Sequence, residues 1–213
     1  MSQYMLEFAG LMAVFSIIIV APGADFAIVL RQAIVHGRRA AILTSIGIGC
    51  SLLFHIGYTI LGLGLIVSKS LFLFGLLKWA GAAYLVWLGV KSWFSAPFEA
   101  SVAVDETADR KPLSGLKCFA MGFATNALNP KPVMFFLSLF SALVSHETPA
   151  AVQAVYGVLM ASALIAWFVG VSMFFTVAAV RERFVACGRW FNRMTGAALV
   201  GLGVRLAIAK AAD

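Results

Sequence analysis

Six stretches of this 213-residue chain stay apolar for long enough to cross the hydrocarbon core of a bilayer, which takes about 20 residues of helix. They lie near 5–34, 40–67, 70–91, 114–145, 150–179 and 190–209. Backbone N–H and C=O groups find no water in that core, so each stretch must bond internally and is expected to be helical. A barrel would need strands alternating with period two, and no segment does so. Charged residues make up 12% of the chain against about a quarter in a soluble domain. No Pro-rich, Gly/Ser-rich or low-complexity linker divides the sequence. The reading is one all-α integral membrane domain over 1–213 with six transmembrane helices.

The formal net charge of +7 does not indicate nucleic acid, because the basic residues sit in short patches between apolar blocks. Arg31, Arg38 and Arg39 follow the first block; Lys91, Arg110, Lys111 and Lys117 follow the third; Arg181, Arg183, Arg189 and Arg193 follow the fifth. Lys69, Lys78, Arg205 and Lys210 fall on the other side. The positive-inside rule puts the first set in the cytoplasm, which turns both termini outward. The run ending in Ala21-Pro22-Gly23-Ala24 lacks the basic start of a cleaved leader and carries Glu7 there instead, so it reads as a retained span. Cys50, Cys118 and Cys187 are odd in number and lack CxxC spacing, so neither a disulfide framework nor a zinc site is indicated.

Two blocks are too long for one straight span, and each is interrupted at a matching place. The first, from near Met5, meets Pro22-Gly23; the fourth, from near Ser114, meets Asn129-Pro130. Both interruptions lie roughly 25 Å along their helices, inside the membrane once tilt is allowed. The third and sixth blocks echo each other: Gly81-Ala82-Ala83-Tyr84-Leu85-Val86-Trp87-Leu88-Gly89-Val90-Lys91 matches Gly196-Ala197-Ala198-Leu199-Val200-Gly201-Leu202-Gly203-Val204-Arg205 with one residue dropped. Offsets of 108 from Pro22 to Pro130 and 114 from Lys91 to Arg205 point to a duplication. Three spans per half is odd, so the second copy must be inverted. The expected architecture is two inverted three-helix repeats, about 1–95 and 112–213, joined by a cytoplasmic linker at 96–111, with helices 1 and 4 broken at proline.

Asp25 is the one acidic residue read as lying well inside an apolar span. There it must be paired, face an aqueous cavity or hold a proton, and each state suits a proton carrier. A helix cap at the break is the structural alternative. Lys131 follows Pro130 in the corresponding place of the second half, with the amides of Asn126 and Asn129 beside it. An inverted repeat brings the two breaks together. Asp25 and Lys131 are then expected to pair when empty and to separate onto the ammonium and carboxylate of a zwitterion, unless the pair only locks the helices. His55, within the second span, suits a proton relay, a pocket group or a cross-helix hydrogen bond. Lys78 reads as snorkelling, Arg31, His36, Arg38 and Arg39 as topology and lipid-headgroup residues, and Trp79, Trp87, Trp93 and Trp190 as interfacial.

No P-loop, HExxH, GxSxG or metal-ligand cluster occurs, so no enzyme chemistry and no cofactor is indicated. Energy must come from an ion gradient or from the substrate's own.

The segment Ala21-Pro22-Gly23-Ala24-Asp25-Phe26, then Gly37-Arg38-Arg39-Ala40 and Gly47-Ile48, resembles the lysine-exporter (LysE/RhtB) superfamily of bacterial amino-acid exporters. Asn126-Ala127-Leu128-Asn129-Pro130-Lys131 and Phe135-Phe136 match its second motif, and the likeness covers nearly the whole chain. The resemblance implies a multi-pass bacterial inner-membrane exporter of amino acids, driven by the proton motive force, with a homodimer as an assembly to consider. The residues carried over are Pro22, Gly23, Asp25, Asn126, Asn129, Pro130 and Lys131. The family often has Pro where this chain has Ala24, which bears on the geometry of the break and not on its charge. Gly47-Ile48-Gly49-Cys50 and Ala166-Trp167-Phe168 look most like the threonine and homoserine efflux branch. Export of basic amino acids is the alternative within the family. A divalent-metal exporter would need more intramembrane Asp, His or Cys, and a scaffold would have no use for the buried charges.

Overall fold

The structure, a computed structural model, describes residues 3–21, 23–95, 113–174, 177, 179–180, 183 and 186–208, and at 67–69, 71, 74 and 130 the backbone alone. Pro22, the linker 96–111 and the basic residues Arg110, Lys111, Arg181 and Lys210 lie outside the described residues. Among the described residues there are no strands, and the long helices are α1 (Gln3–Val20), α2 (Ala24–Val35), α3 (Arg38–Lys69), α4 (Leu71–Trp93), α5 (Gly115–Ala127), α6 (Pro130–Leu143), α7 (Ala150–Phe174) and α8 (Gly188–Ile208). The chain is an all-helical membrane protein. Three of these helices, α1, α3 and α7, are each long and apolar enough to span a bilayer alone.

Local chemistry explains most of the boundaries. The first block divides into α1 and α2 around residues 21–23, and Gly23 starts α2 in an extended conformation with no side-chain cap. The fourth block divides at Leu128 and Asn129. There the Asn129 side chain accepts from the Lys131 backbone N–H at 3.0 Å and Pro130 takes the first helical position, where a missing N–H costs nothing. Gly37 joins α2 to α3 at φ 84°, a left-handed conformation that disfavours any residue with a Cβ. Ser70 is the entire connection between α3 and α4, and its hydroxyl caps α4 by accepting from the Leu73 N–H at 3.2 Å.

Cross-helix contacts give the direction of each helix. Thr44 donates to the Cys118 carbonyl and His55 meets the Asn126 carbonyl, so α5 runs parallel to α3. Gly81 faces Ser138 and Tyr84 reaches the Lys131 carbonyl, so α4 is antiparallel to α6. Gly49 touches Ile165 and Gly157 touches Ile56, so α7 is antiparallel to α3. Gly10 meets Leu143 and Phe15 meets Phe136, so α1 is antiparallel to α6. The ends carrying Arg31, Arg38, Arg39, Lys91, Lys117, Arg189 and Arg193 therefore lie at one face. The N-terminus of α1 lies at the opposite face, beside the 144–149 loop.

Two seams bring backbones into direct contact, as small residues allow in lipid. On α4 and α8, a Cβ added to Gly89 would sit 2.7 Å from the Gly196 carbonyl oxygen, and one added to Gly203 would sit 2.8 Å from that of Ala82. On α3 and α5, a Cβ at Gly47 would collide with the Phe119 carbonyl, and one at Gly122 with that of Thr44. Large apolar side chains cover the outside, among them Leu61, Leu65, Phe72, Trp79 and Trp87, each more than half exposed, as a lipid-facing surface requires.

Candidate functional site

Where α2 begins and α5 ends, the two helix boundaries meet. Asp25 stands in the first turn of α2, and its Oδ2 accepts from Asn126 Nδ2 at 2.7 Å. Its carboxylate bonds across to α5, so the cap reading of Asp25 does not hold; Gly23 occupies that position. Asn126 is itself held from behind. His55 Nε2 lies 3.1 Å from the Asn126 carbonyl oxygen, and His55 Nδ1 lies 2.6 Å from the Tyr58 hydroxyl. His55 is fully buried and buttresses Asn126, outside the cavity lining.

A cavity of about 110 Å³ opens in front of this pair. Its polar wall is Asp25, Asn126, Asn129 and Lys131; Phe15, Leu52, Phe135, Phe136, Leu164 and Phe168 supply apolar walls, and Gly23 and Ala24 line the entrance to α2. Asp25 Oδ1 and Asn126 Oδ1 are buried and have no hydrogen-bond partner. Lys131 is exposed along the same wall. The site thus holds two acceptors without donors and, on the same wall, a cation.

The expected direct ion pair is not formed: no Asp25–Lys131 contact within 4.0 Å occurs among the described residues, one Asp25 oxygen accepts from Asn126, and the Lys131 backbone N–H donates to Asn129. Asn129 thus acts first as a cap. Pro130 opens α6, with its ring outside the description, and Pro22 lies outside the described residues. Among the described residues no group of three His, Cys, Asp or Glu side chains could hold a metal ion. Cys50, Cys118 and Cys187 are free thiols.

A second carboxylate is buried, one that the sequence marks only as a charge near the start of the first block. Glu7 of α1 is 8% exposed and accepts from Gln3 Nε2 at 3.1 Å, the Ser145 N–H at 3.2 Å, the Thr148 hydroxyl at 2.9–3.0 Å and the Tyr156 hydroxyl at 3.2 Å. The available signal was its spacing: Glu7, Leu11 and Phe15 recur every four residues and form the buried stripe of α1.

A family model described as LysE type translocator matches residues 16–210. The threonine efflux protein of Escherichia coli (strain K12) is 29% identical over 192 residues, covering 90% of this chain and 93% of that protein. The homoserine/homoserine lactone efflux protein of Salmonella typhimurium is 34% identical over 132 residues, 62% of each chain. An uncharacterized membrane protein of Escherichia coli (strain K12), YahN, is 31% identical over 189 residues, 87% of this chain and 82% of that one. No solved structure matches the chain.

Proposed function

The chain belongs to the LysE family of translocators, a transporter and not an enzyme, and from that premise we propose that it exports small neutral amino acids of the threonine and homoserine type. Export runs across the bacterial inner membrane and is coupled to protons. The observation that carries this reading is the pair of unpartnered acceptors, Asp25 Oδ1 and Asn126 Oδ1, on a cavity wall that also carries Lys131.

An α-ammonium group brings the donors those oxygens lack, and charge-assisted hydrogen bonds of this type are the strong ones. An α-carboxylate reaches Lys131 and the N-terminal end of α6, whose dipole favours negative charge. The aromatic and aliphatic walls take a short side chain. A dibasic substrate would bring a second cation to a site with one carboxylate and a lysine, so neutral substrates are preferred. Asp25 alternates between holding the ammonium and holding a proton, which exchanges one positive charge for another at the same atoms and gives antiport.

The fold supports an alternating-access design of six spans, with α1–α2 and α5–α6 each forming one broken span. Helices α1, α2, α4 and α7 run one way and α3, α5, α6 and α8 the other, which is the direction pattern of two inverted three-helix repeats. The α4–α8 seam agrees with it. The sequence echo pairs Gly81 with Gly196 and Gly89 with Gly203, so the contact of Gly89 with Gly196 maps onto one of Gly203 with residue 81; Gly203 touches Ala82. With the basic face in the cytoplasm, both termini are outside.

The test is uptake into proteoliposomes with the pH gradient imposed in the export sense, comparing threonine, homoserine, lysine and arginine. Threonine and homoserine are expected to accumulate, and Asp25→Asn to abolish accumulation. Lysine accumulating in preference to threonine would overturn the substrate reading, and threonine accumulation untouched by Asp25→Asn would remove Asp25 from the mechanism.

A further inference from the structure

Apart from the site, Gln32 Oε1, His36 Nδ1 and Ser51 Oγ are buried polar atoms without a hydrogen-bond partner among the described residues. Gln32 and Ser51 are fully buried, and the Gln32 amide finds only the weak acceptor Met121 Sδ, 3.4 Å away on α5. Such atoms in a native interior call for a bridging water. Their placement is ordered. Asp25, Gln32 and His36 are separated by seven and four residues, so at 3.6 residues per turn they fall within about 20° of one line along α2. That line faces α5, since Asp25 bonds Asn126 and Gln32 bonds Met121. It rises roughly 6 Å from His36 to Gln32 and roughly 10 Å more to Asp25. Ser51 belongs to the stripe of α3 one turn before His55, which also reaches α5 at Asn126.

We infer that the α2–α3–α5 seam is a proton path, in which waters held by Gln32 and Ser51 connect Asp25 to the basic face of the protein at His36. This rests on the reading of Asp25 as the proton carrier. A proton taken up at Asp25 from outside leaves toward the cytoplasm by transfer along the waters. Each water accepts one proton and passes on another, so in the protein only the Asp25 carboxyl O–H bond forms on uptake and breaks on release. The amino acid does not share the route: Val29, between Asp25 and Gln32, is fully buried, and Gln32 bridges the seam to Met121. Among the described side chains, the titratable and charged groups on the helices packed against α2 are Arg38, Arg39, Cys50 and the His55–Tyr58 pair on α3, Lys117 and Cys118 on α5, and Tyr156 on α7; none is hydrogen-bonded to the side chain of Gln32 or Ser51.

Two transport modes separate the path from the site. Counterflow exchanges labelled for unlabelled threonine with no pH gradient and needs no net proton movement, whereas gradient-driven accumulation does. Gln32→Leu and Ser51→Ala are expected to lose accumulation by about tenfold while counterflow stays at the unaltered level, and Ser51→Thr, which keeps the hydroxyl, to retain both. Accumulation equal to that of the unaltered chain in both Gln32→Leu and Ser51→Ala overturns the path and leaves Asp25 standing. No transport by the unaltered chain overturns the functional reading and the path with it. Gln32→Cys in a chain freed of Cys50, Cys118 and Cys187 decides independently, including where Gln32→Leu fails to assemble. Ag⁺ applied at the basic face should block its accumulation if water reaches position 32, and insensitivity to Ag⁺ overturns the proposal.

Discussion

Two carboxylates are buried among apolar helices here, and their surroundings differ in one respect. Around Glu7 both oxygens are occupied, by donors from α1, the 144–149 loop and α7. Around Asp25 one oxygen accepts from Asn126 and the other from nothing. A fully satisfied polar network holds one arrangement rigidly, while an unsatisfied group retains the full cost of its desolvation until a donor arrives. Glu7 therefore fastens the start of α1 to the end of α6 and the start of α7, whereas Asp25 keeps one oxygen open to a donor. Burial alone would not have told them apart.

Four substitutions press on that contrast. The largest effect belongs to Asp25→Asn, expected to cut gradient-driven transport roughly 100-fold or more while thermal unfolding in detergent shifts by less than about 1 kcal/mol, since an amide keeps a bond to Asn126. Glu7→Leu should do the reverse. It strands the Thr148 hydroxyl and the Ser145 N–H, while the Tyr156 hydroxyl keeps the Tyr4 carbonyl, for about 3 kcal/mol of stability by the same thermal measurement, with counterflow retained below the new melting point. A stable but inactive Glu7→Leu protein would break the comparison. Lys131→Gln is expected to raise the KM for threonine about tenfold and to leave an amino-acid lactone, which has no free carboxylate, nearly unaffected; equal effects on both would detach Lys131 from carboxylate recognition. Thr148→Val, which removes one donor among several at Glu7, should cost about 1 kcal/mol and nothing in transport.

How much of this was legible depends on whether the signal is local. The apolar blocks announced helices because spanning length and internal bonding are properties of consecutive residues, and Asn129-Pro130 announced a helix start because capping acts over two or three positions. Asp25 and Lys131 stood out as charges in apolar surroundings. Their separation did not, because side-chain rotamers and cross-helix bonds such as that of Asn126 to Asp25 are left free by spacing. Glu7 lies one turn from the start of its block, and apart from Gln3 its partners are 138 to 149 residues away. Gln32 and Ser51 carry no charge, so only their lack of partners marks them.

The one-residue connection at Ser70 bears on how the protein is made. In the proposed six-span arrangement a loop that short exposes almost nothing on the far side of the membrane, so α3 and α4 would have no polar segment to drag through the bilayer and would enter it together as a hairpin. The 32 residues of α3 and 23 of α4 would then leave the ribosome as one insertion unit, oriented by Arg38 and Arg39 at one end and Lys91 at the other. An epitope or glycosylation tag placed at Ser70 is for that reason a disturbance of biogenesis before it is a reporter of topology.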